Sequence, residues 1–86
     1  MIRIEVCGLN DDCAETVQII EKWLNKNDIE HSRFEMEQKY GFLEGGYTIV
    51  DDTCFQIRSN DEVLYKKIAQ EMRYQYLDVK MEIIHI

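Results

Sequence analysis

The chain has no proline, only four glycines and three cysteines, and no apolar run long enough to span a membrane. The absence of proline favours helices and strands that run without interruption. Three cysteines, an odd number, fit free thiols in a reducing compartment better than a disulfide framework. With no apolar stretch of about eighteen residues and a charged segment at the start, the sequence predicts a cytoplasmic protein.

Basic residues are also scarce, because the chain has ten lysines and arginines but seventeen aspartates and glutamates, which gives a net charge of −7. This balance argues against direct binding of nucleic-acid phosphates and against an anionic membrane surface. It permits a protein partner with a basic surface, including a surface that normally holds nucleic acid. An acidic surface also promotes solubility without any partner.

The clearest element that is present is an amphipathic helix over residues 12–24. Val17, Ile20 and Leu24 recur at helical spacing, and Asp12 and Glu15 have the spacing of a capping box. The alternating runs 2–6 and 31–38 flank this helix and predict strands. The length of 86 residues supports one hydrophobic core, so we predict a single domain over residues 1–86.

The second half of the chain repeats this order. Residues 47–58 are typical of a strand, within which residues 51–53 form either a bulge or a tight turn. Ser59 and Glu62 have the spacing of a second capping box, before a helix with its own apolar stripe. Residues 78–86 alternate again and predict a last strand.

The order strand, helix, strand, strand, helix, strand predicts an α+β fold, a ferredoxin-like two-layer sandwich of βαββαβ type. Its antiparallel four-stranded sheet would have the strand order 4-1-3-2, with both helices on one face. The predicted core is Ile4, Val6, Val17, Ile20, Leu24, Phe34, Met36, Phe55, Ile57, Leu64, Ile68, Met72, Val79 and Met81. The open face is predicted to carry a ladder of mixed charge formed by Arg3, Glu5, Arg33, Glu35, Glu37, Arg58, Lys80 and Glu82.

Cys7 and Cys13 bracket the turn before the first helix, where copper-chaperone domains of this fold carry a metal-binding Cys-x-x-Cys motif. The wider spacing here does not match that motif, and without proline the chain lacks the cis-proline beside thioredoxin-type thiols. A structural role for Cys13 is therefore the favoured interpretation. We predict neither a metal nor a cofactor.

Acidic residues stand at the starts of both helices, namely Asp11, Asp12, Asp61 and Glu62. We expect the two helices to begin at the same edge of the sheet, which would bring these carboxylates together. Such a cluster could hold a divalent cation. Capping and the helix dipole also explain acids in first turns, and this is the favoured interpretation.

Two other uses of this fold find little support in the sequence. RNA-recognition domains stack bases on aromatic residues of the two central strands, whereas the outward positions here are charged or polar. ACT domains share the strand order but usually bind their ligand through a glycine-bearing loop before the first helix, where this chain has an acidic turn. No catalytic motif is present, so we predict no enzymatic activity and no direct contact with nucleic acid.

The favoured hypothesis is a small adaptor or inhibitor that occupies a partner's surface, as phage or mobile-element anti-defence proteins do. The alternative is an ACT-like small-molecule sensor or a metal-binding regulatory module. The acids predicted to contact a partner form two patches: Asp11, Asp12, Glu15, Asp61 and Glu62, and then Asp51 and Asp52.

A further contact is predicted at the C-terminal strand, which is an edge of the expected sheet. Ile84 and Ile86 break the charged pattern of the open face there. The strand is expected to pair with a second copy, giving a homodimer, or with a strand of a partner. The alternative is that these last residues fray.

Overall fold

The computed structural model describes residues 1–35, 39–43 and 46–85, and within these ranges it leaves aside the side chains of residues 7–11, 39–43 and 46–51. No helix in the described ranges combines the length and apolar character that a membrane crossing requires. The elements in chain order are strand β1 (Ile2–Leu9), helix α1 (Asn10–Lys26), strands β2 (Ser32–Glu35), β3 (Lys39–Leu43) and β4 (Gly46–Ile57), helix α2 (Glu62–Tyr74) and strand β5 (Lys80–Ile83).

The strands form one antiparallel sheet in the order β2-β4-β1-β5. If β3 is left out of the count, this is the predicted order 4-1-3-2 read from the other edge, so the ferredoxin-like sandwich is confirmed. The sequence did not predict β3 as a strand, because glycines interrupt the apolar alternation there. β3 pairs with the first part of β4, from Lys39↔Val50 to Leu43↔Gly46, and lengthens the sheet beyond β2.

Strand β4 runs without a break through residues 51–53. Its register against β1 is constant from Ile2↔Ile57 to Leu9↔Val50, so the hypothesis of a tight turn is wrong and β4 has no extra residue opposite β1. On its other side the register shifts by one residue between Glu35↔Thr53 and Lys39↔Val50.

The core lies between the sheet and the two helices, as predicted. Apart from Ile2 and Cys13, every residue of the buried cluster was expected from the apolar spacing, and Leu64, Val79 and Met81 pack against it partly buried. The cluster contains Ile2, Ile4, Val6, Cys13, Val17, Ile20, Leu24, Phe55, Ile57, Ile68 and Met72.

Strand β2 faces the opposite way from the prediction. Phe34 pairs with Cys54, and Cys54 pairs with Glu5, so all three lie on the open face of the sheet. Phe34 is 48% exposed and is not part of the core. Alternation predicts the period of a strand, but a change of one residue in register exchanges its two faces. The predicted core residue Met36 lies outside the described residues.

The charged residues of β2 are inverted in the same way. Arg33 pairs with Phe55 and lies on the helix side, where its Nη1 is 3.5 Å from Oε1 of Glu21 on α1. Glu35 pairs with Thr53, also on the helix side. These two residues are therefore absent from the predicted open-face ladder, and Glu37 lies outside the described residues.

Both helix starts differ from the predicted capping boxes. α1 begins at Asn10, because β1 leads into it with no intervening loop, so Asp12 lies inside the first turn. The N-cap of α2 is Asp61, whose carboxylate accepts a hydrogen bond from the Val63 nitrogen at 2.9 Å. The Ser59 hydroxyl accepts from the Asp61 nitrogen at 3.1 Å, so Ser59 shapes the turn before the helix.

Strand β5 is shorter than the predicted strand over residues 78–86. Backbone pairing nevertheless continues past it, since the Ile84 nitrogen donates to the Met1 oxygen and the Met1 nitrogen donates to the Ile84 oxygen, both at 2.8 Å. Ile84 is therefore half-buried and held rather than frayed. Ile86 lies outside the described residues.

Candidate protein-binding surfaces

The two helices begin at opposite ends of the sheet. α1 follows Leu9, where β1 pairs with Val50, and α2 follows the other end, where Ile57 pairs with Ile2. We call these the first-helix end and the second-helix end. Seven residue steps at about 3.4 Å place them roughly 24 Å apart.

This antiparallel arrangement separates the acids that were expected to meet. Asp12 is exposed at the first-helix end, as is Glu15 one turn further along α1. Asp61 and Glu62 are exposed at the second-helix end. The prediction of one joint cluster is wrong, because the strands that lead into the two helices are antiparallel neighbours. The side chain of Asp11 lies outside the described residues.

The second-helix end gathers acids that the sequence analysis did not bring together. β2 begins there, since Ser32 pairs with Gln56, so the loop before it carries its acids to the same end. The group consists of Asp28, Glu30, Asp61 and Glu62, all exposed. None of them forms an ion pair with another described residue. We call these four residues the acidic end.

Helix capping explains only half of the acidic end. Asp61 and Glu62 stand at the N-terminus of α2, where the helix dipole favours negative charge. Asp28 and Glu30 follow the C-terminus of α1, where the dipole disfavours it, and Lys26 in the last turn offsets this only in part. Acids just beyond the end of a predicted helix are the sequence signal that could have identified this surface.

A cleft lies beside the acidic end, between the loop before β2 and the end of β4. Its walls are formed by Glu30, His31, Ser32, Gln56 and Arg58. Arg58 is exposed and forms no ion pair with a described residue. The cleft therefore offers one cation, one carboxylate, one imidazole and the uncharged polar side chains of Ser32 and Gln56.

The histidine in this cleft is held in place by its surroundings. Nδ1 of His31 is 2.9 Å from the Ile29 carbonyl oxygen, and Nε2 is 3.7 Å from Oε2 of Glu21. The edge of the ring meets Phe55, with the ring centroids 5.8 Å apart. His31 thus links β2 to α1, and both ring nitrogens already face acceptors.

Asp52 does not belong to an accessible patch. It lies within β4, paired with Cys7, and only 4% of it is exposed. Its Oδ1 has no hydrogen-bond partner among the described residues. The prediction of a surface role is wrong for Asp52, because residues 51 and 52 lie within a strand rather than in a loop and the Asp52 side chain is buried there. The side chain of Asp51 is outside the described residues.

Arg3 organises the centre of the open face. Its Nε donates to the Cys54 sulfur at 3.1 Å, and its terminal nitrogens lie 3.4 Å from Glu82 and 4.0 Å from Glu5. The hydrogen bond to Cys54 raises the pKa of Arg3, and the two carboxylates add to this, so Arg3 stays charged. Cys54 is 1% exposed, which leaves its sulfur covered.

The thiol of Cys13 is buried and lies 3.7 Å from the Val6 carbonyl oxygen, as a structural role requires. Within the described ranges, no group of three or more His, Cys, Asp and Glu side chains could hold a metal ion.

No protein-family model matches the chain, and no curated protein matches its sequence.

Proposed function

We propose that this protein is a small, non-enzymatic binding module, an adaptor or inhibitor, that presents its acidic end to a basic surface of a partner protein. The observation that carries the proposal is the placement of Asp28 and Glu30. These acids lie where the dipole of α1 disfavours them, at the same end of the sheet as the acids that begin α2. Asp28 is tolerated at the left-handed position that ends α1, but the helix dipole favours neither its charge nor that of Glu30, whereas a cationic partner surface would favour both.

The overall charge supports the same proposal. A net charge of −7 on 86 residues creates a negative potential around the whole molecule, and exposed loops can bring charges to a partner without disturbing the core. A surface that normally holds nucleic acid is one basic partner of this kind. An anti-defence protein from a phage or mobile element would act in the cytoplasm by blocking such a surface.

Charge reversal with a matched control tests this proposal. Glu30→Lys/Glu62→Lys reverses the acidic end, and Asp12→Lys/Glu15→Lys makes the same change at α1, so each pair raises the net charge by 4, from −7 to −3. Wild type and both variants are immobilised and exposed to an extract of the source cells, and bound proteins are identified by mass spectrometry. We expect a partner that the wild type and the control retain and the acidic-end variant loses.

Thermal melts of all three proteins verify that the variants are folded. A partner retained equally by both variants would contradict the proposed role of the acidic end. Loss from both variants to the same extent would mean that net charge alone, without a specific surface, governs the interaction.

The cleft supports a second candidate function, a small-molecule-sensing regulatory module. Arg58 and Glu30 on opposite walls offer the two charges that an amino acid carries. A thermal-shift screen with amino acids tests it, because a ligand that binds only the folded state raises the melting temperature. A rise of several degrees that Arg58→Ala abolishes would favour this function over protein binding.

A further inference from the structure

The outer side of β5 is an open edge of the sheet. Met1 and Ile84 exchange both backbone hydrogen bonds, at 2.8 Å each. Hydrogen-bonded and non-hydrogen-bonded pairs alternate along an antiparallel ladder, so Ile83 and Met81 form non-hydrogen-bonded pairs with β1. The N–H and C=O groups of these two residues therefore point away from β1, toward the open side.

An independent contact agrees with this alternation. The hydroxyl of Tyr65, on α2, donates to the Met81 carbonyl oxygen at 3.2 Å, which requires that oxygen to face outward. A carbonyl oxygen has two lone pairs, so Met81 can accept a second hydrogen bond. The edge thus presents donors and acceptors at alternate residues, as a strand that accepts a further strand must.

The side chains of β5 are arranged symmetrically about Met81. Lys80 and Glu82 flank it and lie on the open face, opposite Glu5 and Arg3 of β1. Lys80 forms no ion pair with a described residue, and the side chain of Glu82 is still 58% exposed beside Arg3. A positive charge therefore lies on one side of Met81 along the strand, and a negative charge lies on the other.

We propose that β5 pairs antiparallel with β5 of a second copy, with Met81 opposite Met81 on a two-fold axis. The outward N–H and C=O groups find hydrogen-bond partners only when odd-numbered residues of one copy lie opposite odd-numbered residues of the other. Among the registers that meet this condition, the register centred on Met81 sets Lys80 of each copy opposite Glu82 of the other. A shift to either side sets Glu82 opposite Glu82 or Lys80 opposite Lys80, and like charges directly opposite are destabilising.

This symmetry is the reason for assigning a second copy rather than a foreign strand. A two-fold interface uses the same patch twice, so the patch must be complementary to itself. The sequence Lys-Met-Glu meets this condition when it is paired with its own reverse. The two sheets then join into one continuous sheet, and the open edge is removed.

The test uses two single variants, alone and mixed. Lys80→Glu places Glu opposite Glu82 in its own homodimer, and Glu82→Lys places Lys opposite Lys80. In the mixed dimer both contacts become Glu–Lys pairs again. We expect each variant alone to raise the dimer dissociation constant about tenfold, and a one-to-one mixture to recover the wild-type value, measured by sedimentation equilibrium.

Each variant keeps its altered contacts with Glu5 or Arg3 in the mixture as well. Recovery of dimerisation in the mixture therefore shows that the loss in each single variant comes from pairing between copies and not from damage within one copy. Lys67→Glu and Asp12→Lys, on exposed faces of the helices, are matched controls that should leave the dimer unchanged. A wild type that remains monomeric at millimolar concentration would overturn the proposal. Variants that dimerise normally, or a mixture that stays monomeric, would overturn it as well.

Discussion

Tyr76 adopts a backbone conformation that L-amino acids disfavour, with φ of 57°. It follows Gln75, the C-cap of α2. The Tyr76 nitrogen donates to the Arg73 oxygen at 3.0 Å, and the Leu77 nitrogen donates to the Met72 oxygen at 2.9 Å. These are the two hydrogen bonds of a Schellman motif, and Tyr76 holds the position that glycine usually occupies. The Tyr76 side chain is 96% exposed, so it contributes almost no packing in return.

Asp28 occupies the same position after α1, with φ of 54°. The Asp28 nitrogen donates to the Asn25 oxygen at 3.2 Å, and the Ile29 nitrogen donates to the Leu24 oxygen at 2.9 Å. Aspartate adopts left-handed conformations more readily than tyrosine, because its short polar side chain can hydrogen-bond locally. Backbone strain is therefore greater at the end of α2 than at the end of α1.

We predict that Tyr76→Gly raises the free energy of unfolding by about 0.5–1 kcal/mol, because glycine adopts positive φ without a steric penalty. Gln75→Gly is the matched control, since Gln75 has φ of −83° and gains nothing from glycine, so it should lower stability by a similar amount. Urea denaturation of both variants measures the difference. A loss of stability in Tyr76→Gly would show that the exposed ring makes a stabilising contact.

The carboxylate of Asp52 gives a second prediction at the residue scale. Burial of a polar atom without a hydrogen bond costs about 1–3 kcal/mol, and Oδ1 of Asp52 is buried with no partner in the part of the chain that the structure describes. Asp52→Val removes that cost with a side chain that favours strands, so urea denaturation should show a gain of about 1–3 kcal/mol. Exposed Asp12→Val is the control, expected to lower stability by about 0.3–1 kcal/mol, because it removes a carboxylate that the dipole of α1 favours. Equal effects at both positions would contradict the burial cost.

The two phenylalanines of β2 and β4 test which face of the edge strand is buried. Phe55 is fully buried in the core, whereas Phe34 lies on the open face. Phe55→Ala should therefore lower the free energy of unfolding by about 3–5 kcal/mol. Phe34→Ala should lower the free energy of unfolding by less than about 1 kcal/mol, because removal of a half-exposed ring leaves no closed cavity in the protein. Equal losses in urea denaturation would mean that β2 buries Phe34 after all.

Two elements show why the strand pattern was ambiguous. β1 alternates isoleucine and valine with charged residues, so only one of its faces can be buried. β2 alternates Phe34 with Arg33 and Glu35. Because β2 is an edge strand, either of its faces can be turned to the helix side, where long charged side chains still reach water past the edge of the helix layer. The pairing of Phe34 with Cys54 places Phe34 on the open face and Arg33 and Glu35 on the helix side.

At the scale of the whole molecule, we predict that the acidic end governs the rate of association with the proposed basic partner. Long-range attraction between a negative surface and a basic one accelerates encounter and is screened by salt, with a Debye length of about 8 Å at 0.15 M. We therefore expect the association rate constant for the captured partner to fall steeply as salt rises, while dissociation changes little. Surface plasmon resonance at several ionic strengths measures both rates.

The acidic-end variant Glu30→Lys/Glu62→Lys should show a slower association and a smaller dependence on salt than Asp12→Lys/Glu15→Lys. Binding that does not respond to salt in any of the proteins would instead indicate a mainly apolar interface. In that case the exposed Phe34 would be the first residue to examine on the open face.

The sequence by itself determined the order of the elements other than β3, the order of the four predicted strands in the sheet and most of the core, because periodic spacing of apolar residues is a local property. It also indicated the burial of Cys13, which lies on the apolar stripe of α1. Tertiary pairing decided which distant residues meet. The antiparallel pairing of β1 and β4 separated Asp12 from Asp61 and brought Asp28 and Glu30 to the second-helix end, and the continuous ladder of β4 buried Asp52. These outcomes depend on strand direction and register, which no local pattern encodes.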